Sequence, residues 1–463
     1  MKMKSKLLQK TSLLTSSLLA ASLLASPVMA KMTEAEIARL GKDLTYSGAE
    51  MAGNAEGTIP AYTGGLKGTP ACDKADTFLC NPYAADKPLF EITAKNVAEH
   101  KDKLGAGLLA MFENYPETFK IPVYPTRRST NVPDHVKKAT LRNAAVVETI
   151  NDGNGVSNFE YPGYPFPIPK NGLEVFWNHQ LGYHGDTASR YAGLAAPQVN
   201  GDYSMVMMKE ALAYRTGISD LKPGEDENAY LFGYQVIMSP ARLAGNVIMV
   251  HETIDQVKGP RRSWIYNTGQ RRVRRAPQFA YDAPFTAADG LRTIDGSGGF
   301  NGAPDRYNWT LVGKKEMYVP ANNYKLDEKG LKYDDIIQPG HINSDLTRYE
   351  LRRVWVVEAN LKEGVRHIYK RRTLYFDEDS WLIVLVDHYD SHDELWRLHV
   401  SYALQSYNGQ VPWWAAEEVV DFNAKRYVIS GLENEEVTGQ QFNNEDFKKV
   451  NFKPAALRRL GVR

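Results

Sequence analysis

The sequence predicts an α+β protein built on a large, curved antiparallel β-sheet with helices covering its concave face. Two observations predict it. Beyond residue 200 the chain is dominated by runs in which apolar and polar residues alternate. Trp396, Leu398, Val400, Tyr402 and Leu404, for example, alternate with Arg397, His399, Ser401, Ala403 and Gln405, the pattern of a half-buried strand. These runs are joined by hairpin turns with few intervening helices, which argues against a parallel α/β sheet. Before residue 200, helical patterns alternate with Gly/Pro-rich stretches, and this part forms a helical and loop-rich extension.

In chain order, Thr33 and Glu36 form a capping box ahead of Ile37 and Leu40, and Gly41 stops that helix. Residues 48–68 lack periodicity and read as an ordered, wrapping loop. A helix is predicted over Thr93–Phe112, weakened by Gly105 and Gly107, and another over Pro133–Thr149, where Val136, Leu141, Ala144 and Val147 are spaced for burial. The proline-rich Tyr161–Pro169 can be neither helix nor central strand, and a short helix follows over Gly172–Leu181. Strands are predicted at 203–214, 230–238, 246–255, 307–319, 351–359 and 425–431. Two hairpins join them: Trp264–Tyr266 with Arg271–Arg275, and Arg366–Phe376 with Trp381–Tyr389. The organisation is residues 1–30 as a leader, 31–200 as the extension packing on the sheet and 201–463 as the sheet region, all in one structural unit.

The leader reads as a cleavable export signal. Lys2, Lys4, Lys6 and Lys10 precede an apolar Leu13–Leu24 stretch diluted by hydroxyl residues. Val28 and Ala30 then place the cleavage before Lys31. A retained anchor is the rival reading, opposed by the polarity of the segment and by Pro27. Without the leader, 52 basic residues face 55 acidic ones, a formal charge of −3, so no global field draws nucleic acid. Cys72 and Cys80 are the only cysteines. In an oxidising compartment they most simply form a disulfide, whereas half of a metal site would lack neighbouring ligands.

No nucleophile elbow, Ser-x-x-Lys motif or phosphate loop is found, and Asp295–Gly299 reads as a flexible turn. Asp387, His388, Asp390, His392, Asp393 and His399 carry metal-ligand chemistry, but the spacing of His388 and His392 at a strand end aims them apart, so no cofactor or metal is expected. Arg261, Arg262, Arg271, Arg272, Arg274 and Arg275 form the densest basic cluster, suited to an anionic headgroup or an acidic partner surface; exposed charges on a hairpin are the plain alternative.

Two stretches carry a resemblance. Arg39–Thr45, Gly48–Glu50, Ala52–Asn54 and Gly57–Gly65 form one, and Trp264–Pro277 with Trp413–Leu432 forms the other. Together they resemble domain-of-unknown-function family 1329, large exported bacterial proteins. Tyr46 and Tyr62 stand where Pro and Trp are expected, which are mild swaps. The resemblance implies a relationship to the lipoprotein carriers LolA and LolB, in which the sheet curls into an incomplete barrel around helices and leaves an apolar cavity. It also implies company with transporters of the resistance-nodulation-division class.

The expected function is therefore that of a periplasmic binding or carrier protein for a lipid or other hydrophobic molecule, non-enzymatic and without a stable membrane anchor. The cavity residues expected on the inward face are Trp264, Tyr266, Trp355, Trp396, Leu398, Val400 and Tyr402, although any single residue of this kind is more often plain core than a ligand contact. A non-catalytic envelope interaction subunit and a metal-dependent hydrolase are the alternatives.

Overall fold

Thr33 caps helix α1 (Glu34–Ile37) through the expected box, its hydroxyl accepting from the Glu36 N–H while the Glu36 carboxylate accepts from the Thr33 N–H. The computed structural model describes residues 31–73, 77–277 and 281–461; the export signal expected over residues 1–30 lies outside them. Gly41 follows at φ +81°, a conformation that a Cβ would strain. Residues 48–68 contribute no regular element and are tied down from far along the chain. Trp381 Nε1 donates to the Ser47 carbonyl at 2.8 Å, and the Arg128 guanidinium bridges the Glu50 carbonyl at 2.7 Å and the Asp379 carboxylate at 2.6 Å.

After strand β1 (Phe90–Ile92) the predicted long helix is broken: two single 3₁₀ turns precede helix α2 (Ala106–Asn114). The reason is tertiary. The N–H groups of Ala106 and Gly107 donate to the Asp387 carboxylate at 3.1 and 2.9 Å, so α2 starts where the sheet supplies its cap. A Cβ on Gly107 would lie 2.6 Å from Leu398 Cδ1. Strand β2 (Ile121–Tyr124), helix α3 (Asp134–Val146), the separate hairpin of β3 (Glu148–Ile150) and β4 (Gly155–Ser157), and helix α4 (Gly172–Gln180) follow. Helix α4 is capped by the Asn171 side chain, and all but one of its nine residues are buried.

The strands then come in two meanders. The first is β5 (Thr187–Ala195), β6 (Val206–Tyr214), β7 (Ala229–Ser239), β8 (Val247–Thr253), β9 (Arg262–Asn267) and β10 (Arg272–Arg275). The second begins with β11 (Tyr307–Pro320), short helix α5 (Tyr333–Ile336) and β12 (Tyr349–Leu361). It continues through β13 (Arg371–Asp377), β14 (Ile383–Tyr389), β15 (Leu395–Ser406), β16 (Val411–Asp421) and β17 (Arg426–Leu432), before β18 (Gln441–Phe442) and helix α6 (Ala456–Leu460). They form one 16-stranded sheet in the order β1-β2-β12-β13-β14-β15-β16-β17-β5-β6-β7-β8-β9-β10, with β11 added on β12 and β18 on β5. Among the strands of the described residues, only β2 and β12 pair in parallel. The terminal strands β1 and β10 are not paired to each other, so the mostly antiparallel sheet stays open rather than closing into a barrel.

Strands β1–β5, β16 and β18 have no counterpart among the strands predicted from the sequence. The sequence reading also takes β15 as half-buried, whereas Arg397, His399, Ser401 and Gln405 are as buried as their apolar neighbours. The alternation survives because those polar groups are paired: Arg397 Nε with Asp421 at 2.8 Å and His399 Nε2 with Glu417 at 3.1 Å. Paired polar groups tolerate burial that unpaired ones would not. The disulfide Cys72–Cys80 is formed. Among the described residues no helix is long and apolar enough to cross a membrane.

Candidate functional site

A cavity of about 230 Å³ lies where the two meanders meet. Six consecutive strands of the sheet, from β16 through β17 and β5 to β8, form its wall. The end of α4, with His179 and Gln180, joins His184 and the 285–301 segment to cover it.

Strand pleat decides which side chains reach it. On β6 the set Met208, Glu210, Leu212 and Tyr214 lines the cavity, and on β8 the set Ile248, Val250 and Glu252 does so. Their neighbours Ala211, Ala213, Val247 and Met249 face the other way, into a core that includes Leu457 of α6 and Phe452. Trp413 and Trp414 stack at 4.3 Å on β16, beside His184.

Three arginines line the cavity, each with its own glutamate. Arg190 Nε lies 2.7 Å from Glu210, which also accepts from Gln235. Arg261 Nε lies 2.8 Å from Glu252 and donates through Nη2 to the Asn301 carbonyl. Arg292 Nη1 lies 3.6 Å from Glu417 and 2.9 Å from Ser430 Oγ. Burial raises the Glu417 carboxyl, but His399, through its hydrogen bond and its charge, and then the charge of Arg292 outweigh it and hold Glu417 below the usual range. Burial pushes His179 down to about 3 and lowers His184 as well, so both imidazoles are neutral at pH 7. Formal charges around the cavity therefore cancel, and its remaining wall is largely apolar.

The residues singled out from sequence are distributed differently. Trp264 and Tyr266 pair across β9 with Met249 and Val247, so the pleat turns them to the α6 side of the sheet, away from the cavity. Leu398, Val400 and Tyr402 belong to the main core, with Leu398 beneath Gly107 of α2 and Tyr402 donating to Glu418 at 2.6 Å. Trp355 stacks on Trp381 with Lys314 over its ring, and Trp396 packs beside Tyr369 and Arg397. None of these seven lines the cavity.

Of the six arginines, Arg261 lines the cavity and Arg262 pairs with Asp226. Arg271, Arg272, Arg274 and Arg275 are exposed on β10 and its turn, and among the described residues β10 pairs only with β9. His388 is buried against Tyr369 with ring centroids 4.2 Å apart, while the His392 side chain is 80% exposed; Asp390 accepts from the His392 and Glu394 N–H groups as ordinary turn chemistry. Among the described residues no three His, Cys, Asp or Glu side chains are grouped to hold a metal ion.

The cavity residues that the sequence reading does not single out lie on β5–β8, β16, β17, the end of α4 with His184, and the 285–301 segment. A signal was present in β6, where Glu210 interrupts the apolar run Met208, Leu212, Tyr214 on one face. Without the pairing partner Arg190, that interruption reads as an exposed edge.

Residues 91–458 match the model of a family described as "Protein of unknown function (DUF1329)". A Pseudomonas aeruginosa protein described as uncharacterized is 52% identical over 428 residues, spanning 92% of this chain and 94% of that one. Among solved structures, a DUF1329 family protein from Desulfovibrio piger is similar with 14% identity and a TM-score of 0.40, over 59% of this chain and 92% of that chain. A LolA superfamily protein from Nitrosomonas europaea is similar with 10% identity and a TM-score of 0.35, over 58% and 91%.

Proposed function

We propose that this chain, which belongs to the family described as "Protein of unknown function (DUF1329)", is a periplasmic binding or carrier protein for a lipid or another hydrophobic molecule. The observation that carries the reading is the cavity of about 230 Å³ between the meanders, with apolar walls and internally neutralised charges. It exceeds the roughly 150 Å³ of apolar space that can take up benzene. It falls short of the roughly 300 Å³ where drug-sized pockets begin, so one short acyl segment or small ring system fills it. Each 100 Å² of apolar ligand surface withdrawn from water there supplies about 2.5 kcal/mol, and no catalytic group is needed for that work.

The export signal expected over residues 1–30 and the Cys72–Cys80 disulfide support a location in an oxidising compartment outside the cytoplasm. The exposed arginines of the β10 edge are the contact for an anionic headgroup or an acidic partner. A resistance-nodulation-division transporter is the donor or acceptor of the cargo in this reading.

Native mass spectrometry of protein isolated from its own periplasm, followed by organic extraction, tests the proposal. An apolar molecule should co-purify near one per chain and be lost from an Ala192→Phe variant, in which a ring fills the cavity. Recovery of nothing apolar from the wild-type protein would overturn it.

A further inference from the structure

Two properties of the cavity go beyond its size. The first is its charge count. Arg190, Arg261 and Arg292 are matched by Glu210, Glu252 and Glu417, at 2.7, 2.8 and 3.6 Å. A ligand carboxylate arriving among them would be a fourth anion without a cation of its own, and an uncompensated buried charge is strongly disfavoured.

The second property is a set of hydrogen-bond donors without partners. Arg292 Nε, Trp413 Nε1 and Trp414 Nε1 are buried and unpaired; Arg292 and Trp413 are each only 5% exposed. Guanidinium and indole nitrogens donate and never accept. A buried donor left unpaired is costly, so a group that pairs with it gains accordingly. Gln180 Oε1 and Glu252 Oε1 are acceptors without a hydrogen bond, the latter ion-paired at 2.8 Å with Arg261 Nε, and His184 Nδ1 can take either role, so donors predominate among the groups left without a partner. They sit on the β16 and 285–301 side. Leu231, Ile248 and Val250 line the far end on β7 and β8.

We infer that the molecule this cavity takes is an uncharged amphiphile: an apolar chain or ring bearing a neutral hydrogen-bond acceptor, such as an ester, amide or ketone, rather than a free acid or a bare hydrocarbon. The inference rests on the carrier reading and sharpens it. The accepting group lies toward Trp413, Trp414 and Arg292, and the apolar body extends over Leu231, Ile248 and Val250. Scaling from benzene in about 150 Å³, such a ligand has about nine non-hydrogen atoms.

Calorimetric titration of the full-length mature protein at pH 7 with methyl hexanoate, hexanoate and octane tests this. At that pH hexanoate is ionised. Methyl hexanoate should bind at least about tenfold more tightly than hexanoate. It should also outrank octane, although apolar burial alone would favour the hydrocarbon. The Trp413→Phe/Trp414→Phe variant keeps an aromatic ring at both positions and removes the two indole donors together with part of each ring; with an unchanged circular-dichroism spectrum reporting a retained fold, its preference for the ester over octane should fall at least about fivefold. Glu417→Gln leaves Arg292 uncompensated and should raise hexanoate affinity about tenfold. Wild-type protein that binds hexanoate as tightly as the ester, or octane as tightly as the ester, overturns the inference while leaving an apolar carrier standing. Failure of all three probes to bind overturns both together.

Discussion

Helix α4 touches two regions of the molecule that use the same sheet in opposite ways. Over its first five residues there is no room: a Cβ on Gly172 would lie 3.0 Å from Val357 and 3.1 Å from the backbone of Trp309, and Phe176 packs on Trp309 at 4.8 Å between centroids. At its last turn, His179 and Gln180 border open space over β5–β8. The helix is nine residues long, about 14 Å, and it ends before the sheet does. The strands differ as well: β5–β8 carry six alanines against one in β11–β14, so the cavity arises where the covering helix stops over strands whose small residues, Ala192 and Gly233 among them, leave space.

If that is right, truncations should separate the regions. Trp177 is fully buried and donates through Nε1 to the Gly153 carbonyl at 2.9 Å. Trp177→Ala should cost about 3–5 kcal/mol. Leu212→Ala, beside space that is already open, should cost less than about 2 kcal/mol. Chemical denaturation measures both, and equal costs would break the comparison.

The packed core of the second meander and the cavity should also respond to pH with opposite sign. Asp387, beneath α2, is pushed by burial up to about 6, against the opposing hydrogen bond from Tyr375. The folded state therefore holds its proton more tightly than the unfolded chain does. That contribution is complete below about pH 4 and is lost as pH rises through 6, at most on the order of 3 kcal/mol. Glu417, at the cavity, is held below its usual range, so its contribution is present at neutral pH and lost on acidification. Stability measured between pH 4 and 7 should fall less steeply in Asp387→Asn than in the wild type, and more steeply in Glu417→Gln. The same slope change in both variants would contradict the assigned directions.

The smallest effect belongs to the sheet edge. Arg271, Arg272, Arg274 and Arg275 have no carboxylate partner within 4.0 Å among the described residues. Replacing each by Gln should change stability by no more than about 0.5 kcal/mol, in contrast to the paired Arg261 inside. Such substitutions therefore probe partner contact without disturbing the fold.

How far the sequence reaches can be argued from the same residues. The β9–β10 and β13–β14 hairpins, α3 and α4 are specified locally, by turn chemistry and by apolar spacing, and they appear where periodicity places them. The break before α2 was not legible, because it depends on Asp387 some 280 positions away. The face of β9 was misjudged for a related reason. Alternation shows that Trp264 and Tyr266 share a side, but only the register with Met249 and Val247 shows that the side is that of α6. For β15, alternation was right about the two faces, yet polarity did not mean water, since the partners Asp421 and Glu417 lie on the next strand.

The join between the meanders also has a consequence in time. Strand β17 meets β5 through only three paired positions, Ile429 with Ala195, Ser430 with Leu194 and Leu432 with Gly193, with a bulge among them. Each meander can zip up from its own hairpins as local contacts, whereas this seam must close a loop of more than 200 residues, the kind of step that comes late. Since Trp413 and Arg190 stand on opposite sides of the seam, the cavity acquires its full lining only once this seam has closed.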